Sequence, residues 1–241
     1  MNVTSVVKDL ENLGISIIPN YFSSEQCDSI KDSFISNVRV HESKVFVNES
    51  EGMGGDSRLF SFEKANSLAK DFLFDKEIIE ILSTYSKKKD ESFKQIIPCN
   101  CLAGHLQSIP GKVTNSGGDW HVDSLKLQVK AILYLSDTGI NNGPFSYIPN
   151  LKPENINQGF VKKILNFSSN PRRFDDKTIR KLSKEIMSIT GKKGTLILVD
   201  TSNVHRGEPI VEGERFSLTN YYMYTQSSCL DFKKKISINS L

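Results

Sequence analysis

The sequence predicts a mainly β fold: a jelly-roll barrel with flanking helices. Apolar residues in the first third of the chain recur at helical spacing, the period changes to that of strands after Phe93, and a helical segment interrupts the strands before they resume at Gly194. Two runs of strands separated by a helical insert are typical of such a barrel. We expect one domain over 1–241, made of a helical part (1–90), barrel strands (91–150 and 194–228) and a basic helical insert (151–193).

Length and composition are those of an ordinary globular protein. A chain of 241 residues, 38% hydrophobic and 24% charged, can bury a full core without disulfides. It contains no apolar run long enough to span a membrane. The N-terminus has no cationic segment followed by an apolar one, so we expect no secretory signal.

The four cysteines are Cys27, Cys99, Cys101 and Cys229. Cys99 and Cys101 are too close in sequence to suggest a structural disulfide, and the paired CxxC spacing of a four-cysteine zinc site is absent. We therefore expect reduced, mostly buried thiols in a cytoplasmic protein.

The helical part opens with a predicted helix over Val3–Leu13 that stops at Gly14, followed by a strand over Ile15–Ile18. Ser23 and Gln26 form the capping-box pattern that begins a second helix.

A third helix is expected to begin at Asp75, with a solvated connector at 87–90. The segment 50–58 is rich in Gly and Ser and is expected to be a loop, either part of an active-site lid or, as we favour, a plain surface loop.

Five strands are expected in the barrel, the first at a sheet edge or a bulge because it contains Pro98. One helix is expected inside the insert, with Ile179, Leu182, Ile186 and Ile189 facing inward. The strands are predicted at 96–107, 127–135, 145–148, 194–199 and 215–225, and the helix at 176–189.

The stretch Trp120-His121-Val122-Asp123 is the first of two candidate metal motifs. On a strand, side chains alternate between faces, so His121 and Asp123 would point the same way. His205, just after the apolar run 196–199, is the best candidate for a third ligand. Two histidines and one carboxylate on one face of a metal form the facial triad of non-heme Fe(II) oxygenases.

Arg215 stands ten positions beyond His205 and is followed, on the same strand face, by Ser217. An arginine here could bind the far carboxylate of a 2-oxo acid bidentately, with Ser217 adding a hydroxyl contact. Alternatively, Arg215 could pair with a surface acid such as Glu212 or Glu214.

These motif residues resemble those of the Fe(II)/2-oxoglutarate-dependent oxygenases, and the chain is most similar to their phytanoyl-CoA dioxygenase-like branch. Segments 13–23 and 133–137 and the turn Asn142-Gly143-Pro144-Phe145 also resemble that branch. The sequence departs from it in two places. Val122 stands where Gln is common, and Asn150-Leu151 follows Pro149 where Gly-Ser-His is usual.

The resemblance implies a double-stranded β-helix, or cupin-like, core with both metal motifs at one open end. It implies Fe(II) held by His121, Asp123 and His205, with 2-oxoglutarate and O2 as cosubstrates. The implied reaction hydroxylates a C–H bond and releases succinate and CO2. Gln107 and Tyr134 are candidate contacts to the metal-binding end of the cosubstrate, or packing residues.

Some alternatives stay open. The same three ligands could hold Zn(II) or Mn(II) and a water in a hydrolase or isomerase, although Arg215 disfavours this, or the barrel could bind ligands without catalysis. His105 is expected to be a strand histidine and His41 an exposed one. Arg206 could reach the substrate or lie on the surface.

The segment 151–193 holds eleven basic and four acidic residues, a net charge of +7, whereas the whole chain is +3. Because an insert there borders the active-site mouth in the resembled fold, its charge could attract an anionic small-molecule substrate. Solvation of the outer face of the 176–189 helix is the slightly favoured explanation. Nucleic acid is disfavoured because few aromatics are interleaved. The oligomeric state is left open.

Overall fold

The computed structural model describes residues 1–47, 55–93, 95–108, 118–153, 172–182 and 185–241. The strands described are β1 (Ile15–Ile18), β2 (Phe46–Val47), β3 (Asp56–Leu59), β4 (Ile97–Gln107), β5 (Trp120–His121), β6 (Val129–Tyr134), β7 (Phe145–Tyr147), β8 (Arg173–Phe174), β9 (Met187–Ile189), β10 (Leu196–Asp200), β11 (His205–Gly207) and β12 (Glu214–Met223). The helices described are α1 (Val3–Leu13), α2 (Ser24–Val40), α3 (Ser67–Leu73), α4 (Lys76–Lys89), α5 (Asp176–Leu182) and α6 (Gln226–Lys235).

The described strands form two antiparallel sheets. The larger has the order β1-β10-β6-β12-β4-β3-β2 and the smaller β8-β5-β11-β7-β9. From β4 to β7 and again from β10 to β12, successive strands alternate between the two sheets. This alternation is the jelly-roll arrangement of a double-stranded β-helix, and it confirms the predicted fold class.

Three apolar clusters hold the layers together. The largest packs helices α1 to α4 against the outer face of the large sheet. A second lies between the sheets, where Ile132 and Tyr134 of β6 meet Phe145 and Tyr147 of β7. A third packs α5 against β5 through Trp120. The helices therefore cover the outer face of the large sheet, and the part of its inner face that the second cluster leaves uncovered can form the wall of a cavity.

Local signals in the helical part are confirmed where a specific cap is present. Gly14 ends α1 in the left-handed region at φ 73°, which glycine adopts without steric cost. Ser23 and Gln26 form the predicted capping box at the start of α2, and the Asp75 carboxylate accepts two backbone N–H groups at the start of α4.

The prediction of a helix over 176–189 is wrong for the second half of that range. The helix is described over Asp176–Leu182, and residues Met187–Ile189 form strand β9. Ile186, expected to face inward, is exposed. The reason is tertiary, because β9 completes the edge of the small sheet by pairing with β7, and a short apolar run fits either period. Residues 154–171 of the insert lie outside the described residues.

Two predicted connectors also differ. Asp56, Ser57 and Arg58, expected in a loop, form most of β3 and pair with β4, while 50–54 lie outside the described residues. Lys87, Lys88 and Lys89 are exposed but form the last turn of α4 rather than a connector. The sequence reasoning also missed helices α3 and α6.

Pro98 lies at a β-bulge, which is one of the two positions expected for it, a sheet edge or a bulge. The β4–β12 register shifts here, with Pro98 opposite Tyr222 and Asn100 opposite Tyr221, so Cys99 has no partner on β12. Cys99 instead forms a disulfide with Cys229 on α6. The expectation of reduced thiols is therefore wrong for these two cysteines, because the folded chain joins residues 130 positions apart. Cys27 and Cys101 are free and buried.

Within the described part of the chain, no helix is both long enough and apolar enough to cross a membrane.

Candidate metal centre and its cavity

The two histidines of the predicted triad face each other across two paired strands. β5 and β11 are antiparallel neighbours in the small sheet, and His121 is registered directly opposite His205. Their ring centroids are 4.5 Å apart. Asp123 follows β5 by two residues, and its backbone N–H donates to the Thr201 carbonyl at 3.0 Å. Strand pairing alone therefore brings together residues more than eighty positions apart.

The three side chains converge on one point. His121 Nε2 lies 3.9 Å from Asp123 Oδ1, and His205 Nε2 lies 3.6 Å from Asp123 Oδ2. One ligand atom from each residue lies within 4.8 Å of the other two. His205 is buried, whereas His121 and Asp123 are partly exposed. A metal ion could therefore bind all three and remain accessible from the side of His121 and Asp123.

Backbone hydrogen bonds fix the tautomer of both histidines. His121 Nδ1 lies 2.8 Å from the Asp119 carbonyl, and His205 Nδ1 lies 2.9 Å from the Asn203 carbonyl. A carbonyl oxygen only accepts, so Nδ1 must carry the proton in each ring. Each neutral ring then presents an unprotonated Nε2 toward Asp123. This is the second-layer arrangement that orients metal-binding histidines in known sites.

Lys130 is a charged neighbour of the triad that the sequence reasoning missed. It lies on β6, and its Nζ is 2.6 Å from Asp123 Oδ2 and 4.6 Å from the centre of the Tyr221 ring. Burial alone would raise the pKa of Asp123, but Lys130, followed by His205 and His121, lowers it well below its usual value. Asp123 is therefore ionised and competent as a ligand over the working pH range.

Burial keeps the histidines neutral. It lowers the pKa of His205 to about 4 and lowers that of His121 as well, both against the opposing attraction of Asp123. Neutral imidazole is the metal-binding form. The electrostatics therefore favour one carboxylate and two neutral imidazoles, the donor set of a 2-His-1-carboxylate site.

The triad opens into a cavity of about 270 Å³ between the sheets. Arg215 and Ser217 line the same cavity, together with Thr219 and Tyr221 at alternating positions along β12. The structure therefore places the metal motif and the Arg-x-Ser motif around one space. Other residues that line the cavity are Asp56, Arg58, Leu102, Leu106, Lys130, Ile132, Tyr134, Phe145 and Arg173.

The guanidinium of Arg215 has a buried end, although the residue as a whole is partly exposed. Its Nη1 atom has no hydrogen-bond partner among the described residues, and burial lowers the pKa of the guanidinium. The acids considered as alternative partners are engaged elsewhere. Glu214 pairs with Lys31 and His105, and Glu212 accepts from the Asn141 amide. Among the described residues, Arg215 forms no ion pair, although an unpaired buried charge is costly.

The other predicted contacts are placed differently. Tyr134 lines the cavity, but its hydroxyl donates to the Ile189 carbonyl at 2.8 Å and accepts from Phe145 N–H at 2.9 Å, which ties the two sheets together. Gln107 is exposed at the end of β4 and lies outside the cavity wall. The structure thus brings Tyr134, but not Gln107, into the site, because Gln107 is on the opposite face of β4 from Leu106.

Arg206 is held by structural contacts. Its guanidinium lies 4.5 Å from the centre of the Trp120 ring and pairs with Asp176 and Glu208 at 2.9 and 2.6 Å. It therefore connects α5 to the small sheet. His105 stacks on Phe216 with ring centroids 3.9 Å apart, away from the triad, as expected of a strand histidine.

A sequence signal existed for Lys130. It is the one charged residue in the apolar run 129–135, and a charge on a buried strand requires a partner or a function. Asp56 and Arg58 had no comparable signal, because their two-residue alternation was hidden in a segment rich in Gly and Ser.

The fold is similar to that of several solved structures. SnoN, an epimerase solved with Fe3+, α-ketoglutarate and nogalamycin RO, matches with a TM-score of 0.66 and 10% identity, over 92% of this chain and 83% of SnoN. HygX from Streptomyces hygroscopicus, solved with nickel and 2-oxoglutarate bound, matches with a TM-score of 0.61 and 14% identity, over 90% and 85%. SnoK, a non-heme α-ketoglutarate-dependent carbocyclase from nogalamycin biosynthesis, matches with a TM-score of 0.60 and 13% identity, over 91% and 83%.

At such identities the similarity establishes a shared fold, the double-stranded β-helix. No protein-family model matches the chain, and no curated protein sequence matches it.

Proposed function

We propose that this protein is an Fe(II)- and 2-oxoglutarate-dependent dioxygenase that hydroxylates a C–H bond of a small molecule. The observation that supports this most directly is the pairing of two features in one cavity. A ready-made facial triad opens into the same space as a buried arginine that has no acidic partner among the described residues. A 2-oxo dicarboxylate would satisfy both features at once.

His121, Asp123 and His205 would hold the iron. Their ligand atoms are close enough, the histidines present free Nε2 atoms, and Asp123 is ionised. The facial arrangement leaves the opposite face for exchangeable ligands.

Arg215 and Ser217 would hold the cosubstrate. The planar guanidinium can bind a carboxylate through two parallel hydrogen bonds. Ser217 lies two residues further along β12 on the same face, between Arg215 and Thr219. When bound, iron and 2-oxoglutarate supply the oxidising chemistry, with release of succinate and CO2. The protein positions the reacting groups and limits access of water, to which the apolar walls at Leu102, Leu106 and Ile132 contribute.

Membership of the phytanoyl-CoA dioxygenase-like branch and hydroxylation as the outcome are also proposals. The first is supported by the motif residues and their spacing. The second is the outcome that the resemblance implies, although the fold neighbours include an epimerase and a carbocyclase. The hydrolase or isomerase alternative gives Arg215 no role, and so we favour the oxygenase.

The test begins with binding in the absence of O2. We expect one Fe(II) per chain and metal-dependent binding of 2-oxoglutarate, both measured by calorimetry, followed by succinate formation once O2 is admitted. His105→Ala is a matched control, since His105 lies outside the triad. Retention of metal-dependent 2-oxoglutarate binding in His205→Ala would refute the triad assignment, and metal binding without any affinity for 2-oxoglutarate would favour the hydrolase alternative.

A further inference from the structure

The cavity has more positive charge than the proposed cosubstrate uses. Its described lining contains four cationic side chains, Arg58, Lys130, Arg173 and Arg215, against two carboxylates, Asp56 and Asp123, a net charge of +2. Adding Fe(II) and the dianion 2-oxoglutarate leaves this total unchanged. A cavity whose lining carries an excess of positive charge favours an anionic occupant.

Two of the four cations have other assignments. Arg215 is reserved for the cosubstrate. Arg58 forms a bidentate pair with the buried carboxylate of Asp56, with Nε–Oδ1 and Nη2–Oδ2 distances of 2.9 and 2.8 Å. The excess charge therefore resides on Lys130 and Arg173.

Arg173 stands beside the metal centre, at the mouth. It is registered opposite His121 in the β5–β8 pair, and its side chain is 53% exposed. Its ion pair is with Asp119 at 3.6 Å, an acid whose own side chain is 78% exposed. A solvent-exposed ion pair of this kind contributes little to stability. Arg173 can therefore leave Asp119 and contact a ligand at a small cost in free energy.

Lys130 approaches from the large sheet and is much less exposed, at 12% of its side chain. Its ammonium group has three donors, and it forms an ion pair with Asp123 Oδ2 at 2.6 Å. The face of Tyr221 lies on another side of the group at 4.6 Å. Lys130 and Arg173 thus approach the His121–Asp123 pair from different sheets, Lys130 inside the cavity and Arg173 at its mouth.

The rest of the basic insert does not point into the cavity, as far as its described residues show. Lys192 and Lys193 pair with Asp137 and Asp28 on the surface, and Lys152 lies 3.5 Å from the buried Asp200. Lys177, Arg180 and Lys181 are exposed on α5. Arg172 donates to the backbone carbonyl of Asp123 at 3.3 Å, outside the cavity lining. Among the described basic residues of the insert, Arg173 is therefore the one that lines the cavity.

We propose that Arg173 and Lys130 form an oxyanion-binding subsite beside the metal centre, which takes a phosphate or carboxylate group of the primary substrate. Calling the bound anion a substrate rests on the proposed function. The binding of an anion at this subsite depends only on the charges of Arg173 and Lys130. It identifies the substrate class as small molecules with an anionic group placed next to the carbon that reacts.

Inorganic phosphate is the probe, titrated by calorimetry into protein loaded with Mn(II) and saturating 2-oxoglutarate without O2. Saturation with 2-oxoglutarate keeps phosphate from Arg215. Arg173→Gln should weaken phosphate binding about tenfold, a loss of ~1.4 kcal/mol. Arg180→Gln, the same change on the exposed face of α5, should leave it unaltered. The difference should shrink as salt rises from about 20 to 300 mM, because the charge is partly exposed.

Phosphate bound equally by the wild type and Arg173→Gln would mean that it binds the metal or another cation, and would overturn the proposal. So would an absence of phosphate binding in a sample that binds 2-oxoglutarate normally. If the wild type fails to bind 2-oxoglutarate, the proposed function is refuted separately. The subsite is then judged by adding Arg173→Gln or Arg180→Gln to metal-free Arg215→Met protein, in which phosphate cannot bind Arg215, and equal phosphate affinities of the two variants would refute it.

Discussion

Replacing Arg215 by Met should weaken cosubstrate binding and stabilise the protein at the same time. In the structure, the buried end of this guanidinium has no hydrogen-bond partner, and no described carboxylate lies within ion-pair distance. Methionine keeps most of the side-chain volume and removes the charge. The two effects have opposite signs because the charge is unfavourable to folding but favourable to an anionic ligand.

The magnitudes follow from these contacts. Removing one partner of a buried charge pair typically costs ~2–5 kcal/mol, so the dissociation constant for 2-oxoglutarate should rise by roughly two orders of magnitude or more. Arg215→Lys should recover only part of this loss, because a point charge cannot reproduce the bidentate contact. Without ligand, Arg215→Met should raise the free energy of unfolding by ~1–2 kcal/mol, since an uncompensated buried charge is removed.

Arg58→Met is the matched control. Arg58 lines the same cavity but is paired with Asp56, which is 1% exposed. Replacing Arg58 leaves the buried carboxylate of Asp56 without its ion-pair partner, which should lower the free energy of unfolding by ~2 kcal/mol. This is less than the cost of breaking a fully buried pair, because Arg58 is itself partly exposed. The two variants make the same substitution and should move stability in opposite directions.

Stability is measured by urea unfolding of metal-free protein, and affinity by calorimetry with Mn(II) present and O2 excluded. If Arg215→Met destabilises the protein as Arg58→Met does, then Arg215 has a structural partner and the reasoning is wrong. If 2-oxoglutarate affinity is unchanged in Arg215→Met, another residue anchors the acid.

Three further predictions concern the triad, pH and the disulfide. His205→Ala should abolish stoichiometric Fe(II) binding while leaving the circular dichroism spectrum unchanged; normal binding would remove His205 from the triad. Burial lowers the pKa of His205 to about 4, from an ordinary value of 6.5. Between these two pH values the histidine is protonated in the unfolded state but not in the folded state, so stability falls as the pH drops. Metal-free protein should lose ~1–3 kcal/mol between pH 6.5 and 4, and His205→Gln should flatten that part of the profile; an equal slope in the variant would contradict this origin. Cys99→Ser should lower the free energy of unfolding by ~2–4 kcal/mol. Thiol titration of denatured protein without reductant should detect only Cys27 and Cys101, and four reactive thiols would disprove the disulfide.

Local chemistry in the sequence was sufficient for several elements. The α1 stop at Gly14, the Ser23–Gln26 capping box and the Asp75 cap depend on residues within a few positions of one another, so their spacing is visible in the chain. The motif residues His121, Asp123, His205 and Arg215 could also be picked out. Their residue types and intervals are those that metal coordination and carboxylate binding would require, a pattern that few other arrangements share.

Pairing between distant segments decided the rest. The register that sets His121 opposite His205, the bulge that frees Cys99 to reach Cys229, and the edge pairing that makes Met187–Ile189 a strand each depend on a partner far away in sequence. A short apolar run satisfies helical and strand periods alike, and only the neighbouring strand selects between them.

The charges around the site were likewise decided by tertiary structure. Lys130 was visible as an isolated charge in an apolar strand, but its contact with Asp123 required the small sheet to close over the large one. Arg215 could have paired with Glu212 or Glu214 as far as the sequence shows, and folding directs both acids elsewhere. The sequence by itself determines which charges exist, whereas the packing of the two sheets determines which of them are neutralised and which remain for a ligand, because Coulomb energies depend on distance and burial that only the folded chain defines.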